Sequence, residues 1–278
     1  MSQDTGRFRT QLKDQFYTKP EIATWFLNAI RSTLPWSQDP EVLWVEPSAG
    51  SGSFLNGQKA LALDIDPKDP RVLKQDFLNW TPPDAARPLL VFGNPPFGRQ
   101  GSLAKKFLAR AASFSNTRAI AFILPLSFQK PSMFRCIPLC FHLAWSAHVA
   151  KNAFLVNGEE YDVPCIAQIW QRQNGARAVA VQEEPIGFEY VSQDSSSWQL
   201  AFRRVGGKAG TAYLRAEGPF AAQSHHFLEF DEAFVEEIPE IQKKINAHTF
   251  PTNTTGPRSL SKSEITYVVN AILQEVYA

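Results

Sequence analysis

Long apolar runs are missing from this 278-residue chain. No stretch approaches the ~20 consecutive apolar residues that a helix needs to cross a bilayer, so no membrane contact is expected. Residues 1–16 are polar and mixed in charge, without the apolar centre of a secretory signal, and the expected setting is soluble and intracellular, cytoplasmic or nuclear. A dominant charge is missing too. Lys and Arg number 28 against 27 Asp and Glu, for a formal net charge of +1. That excludes a global basic field of the sort nucleic-acid binders often show, though a local patch can hide in the sum. Cysteine is scarce, with only Cys136, Cys140 and Cys165. Cys136-x3-Cys140 has no second pair to close a tetrahedral zinc site, so buried free thiols in a reducing compartment are expected. His225 and His226 are adjacent, point different ways and have no evident third ligand, so no metal is expected. Internal repeats and low-complexity tracts are also absent.

What is present is 44% hydrophobic content, enough for a large core with a smaller appendage. From Pro20, a residue suited to the first turn of a helix, Ile22, Trp25, Phe26, Ala29 and Ile30 recur at helical intervals. Short apolar runs then follow at 42–45, 60–65, 89–92 and 119–124, each ending in turn residues, with a helix clearest at 103–112. Short buried strands alternating with helices predict a mostly parallel, doubly wound α/β sheet, whose ligands bind at the carboxyl ends of the strands. Runs at 141–149 and 163–170 read as two further strands completing the sheet with an antiparallel edge. Past about Gln173 the texture changes to short strands at 178–182, 198–204, 212–215 and 227–230, then helices at 232–247 and 262–277. Ser261 and Glu264 form a capping-box signature before the last. The expected organisation is a polar arm over 1–15, a catalytic domain over 16–173 and a β-rich and helical extension over 174–278.

Four strand-end segments carry chemistry. Glu46-Pro47-Ser48-Ala49-Gly50-Ser51-Gly52 places two glycines where a backbone can approach a ligand closely. Asp64, 18 residues after Glu46, ends the next strand, where an acid can accept both hydroxyls of a ribose; Ile65 follows it. Asp76 can accept from an adenine amino group, with Phe77 packing on the ring. In Asn94-Pro95-Pro96-Phe97 two consecutive prolines fix φ and remove donors, and Pro95 restricts Asn94 to extended backbone. The turn presents two acceptors, the Asn94 side-chain oxygen and the Pro95 carbonyl, to the two N–H groups of an exocyclic amine. Phe97 offers a face for a planar base.

Taken in this order, residues 16–170 resemble the class I, Rossmann-like N6-adenine methyltransferases that use S-adenosylmethionine. Phe16-Tyr17-Thr18-Lys19-Pro20 looks like the segment that folds over the methionine moiety, with Tyr17, Thr18 and Pro20 the cofactor contacts. Residues 46–52 look like the acid-Pro-x-x-Gly-x-Gly cofactor loop, Asp64 like the ribose acid, Asp76-Phe77 like the adenine pair and Asn94–Phe97 like the catalytic motif. The resemblance implies a seven-stranded methyltransferase sheet and a flipped or single-stranded target base. It also implies a second aromatic beyond the base, for which Phe154 is in place. The chain departs from the family in the short stretch between the glycine loop and Asp64, which leaves room for little more than one helical turn.

The substrate is expected to be DNA or RNA, with DNA placed slightly ahead and oligomeric state left open. Arg203, Arg204 and Lys208, around Gly206-Gly207, read as a basic hairpin able to hold phosphates; Lys105, after the catalytic turn, is another candidate contact. Two other readings stay open: methylation of guanine N2 in RNA or a protein glutamine amide, and a catalytically inactive fold serving as a binding partner.

Overall fold

Burial on both faces is what a parallel sheet demands of its strands, and Leu89–Gly93 meets it without a break: all five residues are buried. In the computed structural model, which describes residues 16–179, 183–254 and 257–277, this strand lies inside a seven-stranded sheet. By compactness the chain divides into residues 1–179 and 180–278. Along the first unit run β1 (Tyr17–Thr18), α1 (Pro20–Thr33), β2 (Leu43–Glu46), β3 (Leu61–Asp64), β4 (Leu73–Lys74), β5 (Leu89–Gly93) and α2 (Ser102–Ser113). They are followed by β6 (Thr117–Pro125), β7 (Phe141–His148), β8 (Phe154–Val156), β9 (Glu159–Tyr161) and β10 (Cys165–Arg172).

The large sheet has the order β4-β3-β2-β5-β6-β10-β7. Its pairs are parallel from β4 through β6, and β10 runs antiparallel to both neighbours. This is the mostly parallel, doubly wound seven-stranded sheet that the sequence leads one to expect. One detail differs. The antiparallel strand is not the edge; β10 inserts between β6 and β7. Composition explains the placement: Cys165–Trp170 is wholly buried and suits the interior, whereas β7 alternates and leaves Leu143 42% exposed.

Strand alternation divides the sheet's side chains between two cores. Leu90, Phe92, Ala121, Ile123 and Ile169 meet α1 through Ile22, Phe26 and Ile30. Val91, Ile120, Phe122 and Trp170 meet α2 through Ala104, Phe107, Leu108 and Ala111. Pro20 opens α1 at a position where its missing N–H costs nothing. Between the glycine loop and β3 there is only a 3-10 turn, Ser53–Asn56, as the short spacing requires. A separate three-stranded sheet, β1-β8-β9, pairs Thr18 with Phe154 and Leu155 with Glu160.

The second unit contains β11 (Phe188–Val191), β12 (Leu200–Arg203), β13 (Ala212–Leu214), β14 (His225–Phe230), α3 (Ile238–Ala247) and α4 (Lys262–Tyr277). Its antiparallel sheet has the order β11-β14-β12-β13. One face packs Leu200, Phe202, Leu228 and Phe230 against Ile241, Ile245, Ile265 and Val269. The capping box forms, with Glu264 accepting from the Ser261 N–H and hydroxyl at 2.8 Å and the Glu264 N–H reaching Ser261 Oγ at 3.3 Å.

Three expectations need correction here. Ala178 and Val179 join no strand, and 180–182 lie outside the described residues. The helix expected from Glu232 is a 3-10 turn at Glu232–Phe234 followed by α3, because Pro239 belongs in a first helical turn. β11 has no counterpart in the sequence reading. The expected arm over 1–15 lies outside the described residues. No described helix is long and apolar enough to cross a membrane. The described residues contain no group of three or more His, Cys, Asp or Glu placed to hold a metal ion.

Phe26 is fully buried between α1 and the sheet. Phe26→Ala is expected to cost about 3–5 kcal/mol of stability, read as a fall in the chemical-denaturation midpoint.

Candidate active site

Strand order reverses between β2 and β5: the chain goes on from β2 to β3 on one side and from β5 to β6 on the other. Open α/β sheets form their crevice at the carboxyl ends of the strands at such a point. The two segments leaving these strands are Glu46–Gly52 and Asn94–Phe97.

The glycine loop is shaped by backbone that other residues resist. Gly50 has φ +51° and Gly52 φ +73°, both in the left-handed region. A Cβ on Gly50 would fall 2.9 Å from a Tyr17 ring carbon, and one on Gly52 2.9 Å from an Asp69 carboxylate oxygen. Asp64 holds the loop: its Oδ2 accepts from the Gly50 N–H and its Oδ1 from the Asp66 N–H, both at 2.8 Å. A carboxylate has about four acceptor positions, so two bonds leave Asp64 capacity for a ligand.

A cavity of about 310 Å³ opens at this edge. The sequence-predicted residues on its wall are Tyr17, Thr18, Glu46, Pro47, Ser48, Ala49, Gly50, Asp64, Ile65, Asp76, Phe77, Asn94 and Pro96. Ile65 is 65% exposed, an apolar side chain offered outward. Asp76 caps the turn that follows it, accepting from Leu78 N–H at 2.9 Å and Asn79 Nδ2 at 2.6 Å. Phe77 lies on the cavity wall and is also tied into the core, stacked on Trp80 at 5.9 Å and Phe107 at 5.5 Å, with 1% of its surface exposed. Pro20 begins α1, and neither it nor Gly52 lies on the cavity wall. Lys105, half-buried on α2, is also off that wall and stands close enough to Cys136 to influence its thiol.

The Asn94–Phe97 turn is tied at three points. Asn94 Nδ2 donates to the Phe16 carbonyl at 3.0 Å. Ser48 Oγ donates to the Asn94 carbonyl at 3.1 Å, joining the two loops. The Phe97 carbonyl accepts from Leu103 and Ala104 N–H groups at 3.1 and 3.3 Å, anchoring the turn on α2. With Nδ2 committed, the amide orientation is set and Asn94 Oδ1 is left buried without a hydrogen-bond partner. A buried acceptor in that condition costs about 1–3 kcal/mol, and such atoms call for an explanation.

The aromatic surroundings of this acceptor are not those expected from the sequence. Phe154 is fully buried in the core, edge-on to Phe16 at 6.3 Å, and presents no face to a substrate. Its pairing with Thr18 in the three-stranded sheet turns it inward. Phe16 stacks on Phe97 at 6.0 Å and on Tyr161 at 5.5 Å. Neither Phe16 nor Tyr161 was among the predicted substrate contacts. Phe16 precedes the two-residue β1 and Tyr161 ends the three-residue β9, segments too short for a sequence pattern to mark either residue.

Glu46 is the second unmatched group. It is 2% exposed and its Oε2 is buried without a partner. Burial, and then the nearby Asp64, push its carboxyl up from 4.5 to about 8.

No family model and no curated protein matches the chain. Among solved structures, the 23S rRNA methyltransferase ErmE is 15% identical over 58% of this chain and 71% of its own, with a TM-score of 0.40. A candidate RNA methyltransferase from Pyrococcus horikoshii is 16% identical over 58% and 87%, with a TM-score of 0.42. A candidate methyltransferase from Thermoplasma acidophilum is 13% identical over 48% and 69%, with a TM-score of 0.26.

A raised carboxyl has a stability signature. The folded chain holds the Glu46 proton between pH 4.5 and about 8 while the unfolded chain has lost it, so stability falls as pH rises through that window and levels off above it. The slope is about 1.4 kcal/mol per pH unit at most. Glu46→Gln is expected to remove this component, so that urea denaturation across the window shows the variant gaining on the wild type as pH rises.

Proposed function

We propose that this chain is an S-adenosylmethionine-dependent methyltransferase acting on the N6 amino group of adenine in nucleic acid. The observation that carries the proposal is Asn94 Oδ1, an oriented, buried acceptor without a partner on the wall of a strand-end cavity. The residues present fit the cofactor. Asp64 has acceptor capacity for a ribose, Asp76 and Ile65 suit an adenine ring, and the unmatched Glu46 Oε2 suits a cationic group. Tyr17 and Thr18 close the other side. When bound, the cofactor supplies an electrophilic methyl group.

The chain's own part is positioning. Asn94 Oδ1 and the Pro95 carbonyl each accept one N–H of the amine, which holds the nitrogen and turns its lone pair out of conjugation with the ring. Because the Asn94 amide is fixed by Phe16 and the turn by Ser48 and α2, little reorganisation is left for the reaction itself. The amine carries a proton that must leave after transfer. Asn94 Oδ1 accepts a hydrogen bond from that N–H, and the proton is lost to solvent as the methylated amine leaves, with no strong base required at the start.

For nucleic acid, support comes from the second unit. Arg203 and Arg204 flank the β12–β13 loop, with Arg203 Nε on the Val205 carbonyl at 3.1 Å and an Arg204 guanidinium nitrogen on the Gln223 carbonyl at 2.8 Å. Lys208 is exposed in the same loop. Burial, then Arg204 and Lys262, hold His226 down at about 4. Among the described residues these cations pair with no carboxylate, which leaves their charge for phosphates.

Asn94→Ala is expected to abolish transfer while cofactor affinity stays within a few-fold; weakened binding with full turnover overturns the assigned role. Replacing Arg203 and Arg204 by Ala should weaken nucleic-acid binding and flatten its dependence on salt, and an unchanged slope places the phosphate contacts elsewhere. Tritiated methyl transfer to DNA, RNA and protein pools, with nucleoside analysis of the product, tests the proposal as a whole.

A further inference from the structure

Neighbouring residues of a strand face opposite sides of its sheet, and this separates the two arginines at the end of β12. Arg203 is the cross-strand partner of His225, and its charge acts on that ring. The charge of Arg204 acts on His226 instead. Backbone bonds bring a second cation to the Arg204 side. The Arg204 N–H donates to the Ser224 carbonyl at 2.9 Å, just before His226, and the Arg204 carbonyl accepts from the Leu260 N–H at 2.8 Å, just before Lys262. Lys262 opens α4. Tyr190 of β11 joins the group from below. Its ring meets His226 edge-on at 5.6 Å, and Lys262 Nζ stands 4.4 Å from the ring centroid. The Tyr190 hydroxyl is fixed on the Lys262 carbonyl and on Thr266 Oγ1, both at 3.1 Å. Among the described residues, no carboxylate forms an ion pair with Arg204 or Lys262. Glu264, one turn into α4, is turned back onto the Ser261 N–H and hydroxyl at 2.8 Å. Two cations and an imidazole are thus gathered without a counter-charge, and burial together with those cations keeps His226 neutral down to about 4. Lys262 is exposed, and Arg204 and His226 are half-buried, so an anion can reach all three.

Resting on the nucleic-acid reading above, we propose that Arg204, Lys262 and His226 form a pocket for one backbone phosphate of a nucleic-acid strand, with Tyr190 as its floor. Arg204 supplies a planar fork of donors, Lys262 a point charge and His226 a ring N–H. The phosphate supplies the counter-charge that this cluster lacks. With it in place the imidazolium is favoured, so His226 takes up a proton from solvent as the strand binds. Lys208, exposed in the β12–β13 loop that begins at Arg204, continues the positive charge along the chain, as a repeating phosphate backbone requires. Arg203 lies on the opposite side and is outside this pocket.

The test is fluorescence anisotropy of a labelled oligouridylate of about 12 nucleotides on the full chain across a range of salt concentrations. Uracil has no exocyclic amine, so the probe reads phosphate contacts and not capture of a base at Asn94. Lys262→Ala is expected to raise the Kd about fivefold and to lower the slope of log Kd against log salt by about 0.7, the share of one phosphate on a single strand. Lys262→Arg, which keeps the charge, and Lys243→Ala, which removes an equal charge from α3, are each expected to stay within about twofold of the wild type. The second readout is the His226 ring resonance in NMR spectra, identified by its loss in His226→Gln. In the free chain it is expected to show no titration above about pH 5, and with saturating oligouridylate to titrate between about pH 5 and 7. No binding by the wild type, an unchanged slope in Lys262→Ala, an equal loss in Lys243→Ala, or a His226 resonance that stays neutral in the complex overturns the inference. If the wild type methylates nucleic acid without this pattern, the pocket fails and methyl transfer stands. If the pattern holds and no pool accepts a methyl group, the pocket stands and methyl transfer fails.

Discussion

The adjacency of β2 and β5 governs the rest of the molecule. They are parallel neighbours in register from Leu43–Leu89 to Val45–Val91, and the chain leaves them toward opposite halves of the sheet. Two loops that depart in opposite directions from adjacent strand ends leave a gap that neither fills. The Ser48 hydroxyl on the Asn94 carbonyl is the bond that keeps those loops at a fixed spacing. It converts a gap produced by topology into a cavity with defined walls. Asp64 then fixes the near wall through Gly50, and α2 fixes the far wall through the Phe97 carbonyl.

Within those walls the chain keeps two buried atoms unmatched, Glu46 Oε2 and Asn94 Oδ1. Each costs about 1–3 kcal/mol while it has no partner. Protein interiors rarely leave such groups alone, and the Asn94 amide is oriented by its bond to the Phe16 carbonyl. The strain is local and the frame around it is rigid. That combination is what a binding site requires, since a ligand that satisfies both atoms recovers the cost and stabilises the fold by mass action.

Much of this was legible in the sequence, for physical reasons. Residues 89–92 and 119–124 are apolar throughout because both faces of their strands are covered, so the pattern could not be mistaken for a half-exposed strand. Glycines at 50 and 52 and prolines at 95 and 96 constrain backbone directly, and such residues carry their geometry with them. What escaped was set by pairing. β1 and β8 have two and three residues, too few for any periodicity to register. With β1 unseen, nothing indicated that Phe154 would turn into the core or that Phe16 would lie on Phe97. Phe77 was legible as a wall residue, while its packing on Trp80 and Phe107 was not, because those contacts depend on how α2 lies on the sheet. Likewise β10 sits inside the sheet because its two faces are apolar, a comparison with β7 that has meaning only once both are known to be strands.

The β8–β9 hairpin ends at Asn157 and Gly158, both at positive φ, and a side chain on Gly158 would meet nothing within 4 Å. Its first strand, β8, is tied to β1, while its tip at Gly158 faces open space. Residues added at the tip would extend into open space while Tyr161 kept its place beside Phe16. A longer tip is therefore an inexpensive change: surface is added at the far end of the hairpin while the large sheet, the cavity and the β1–β8 pairing stay unaltered.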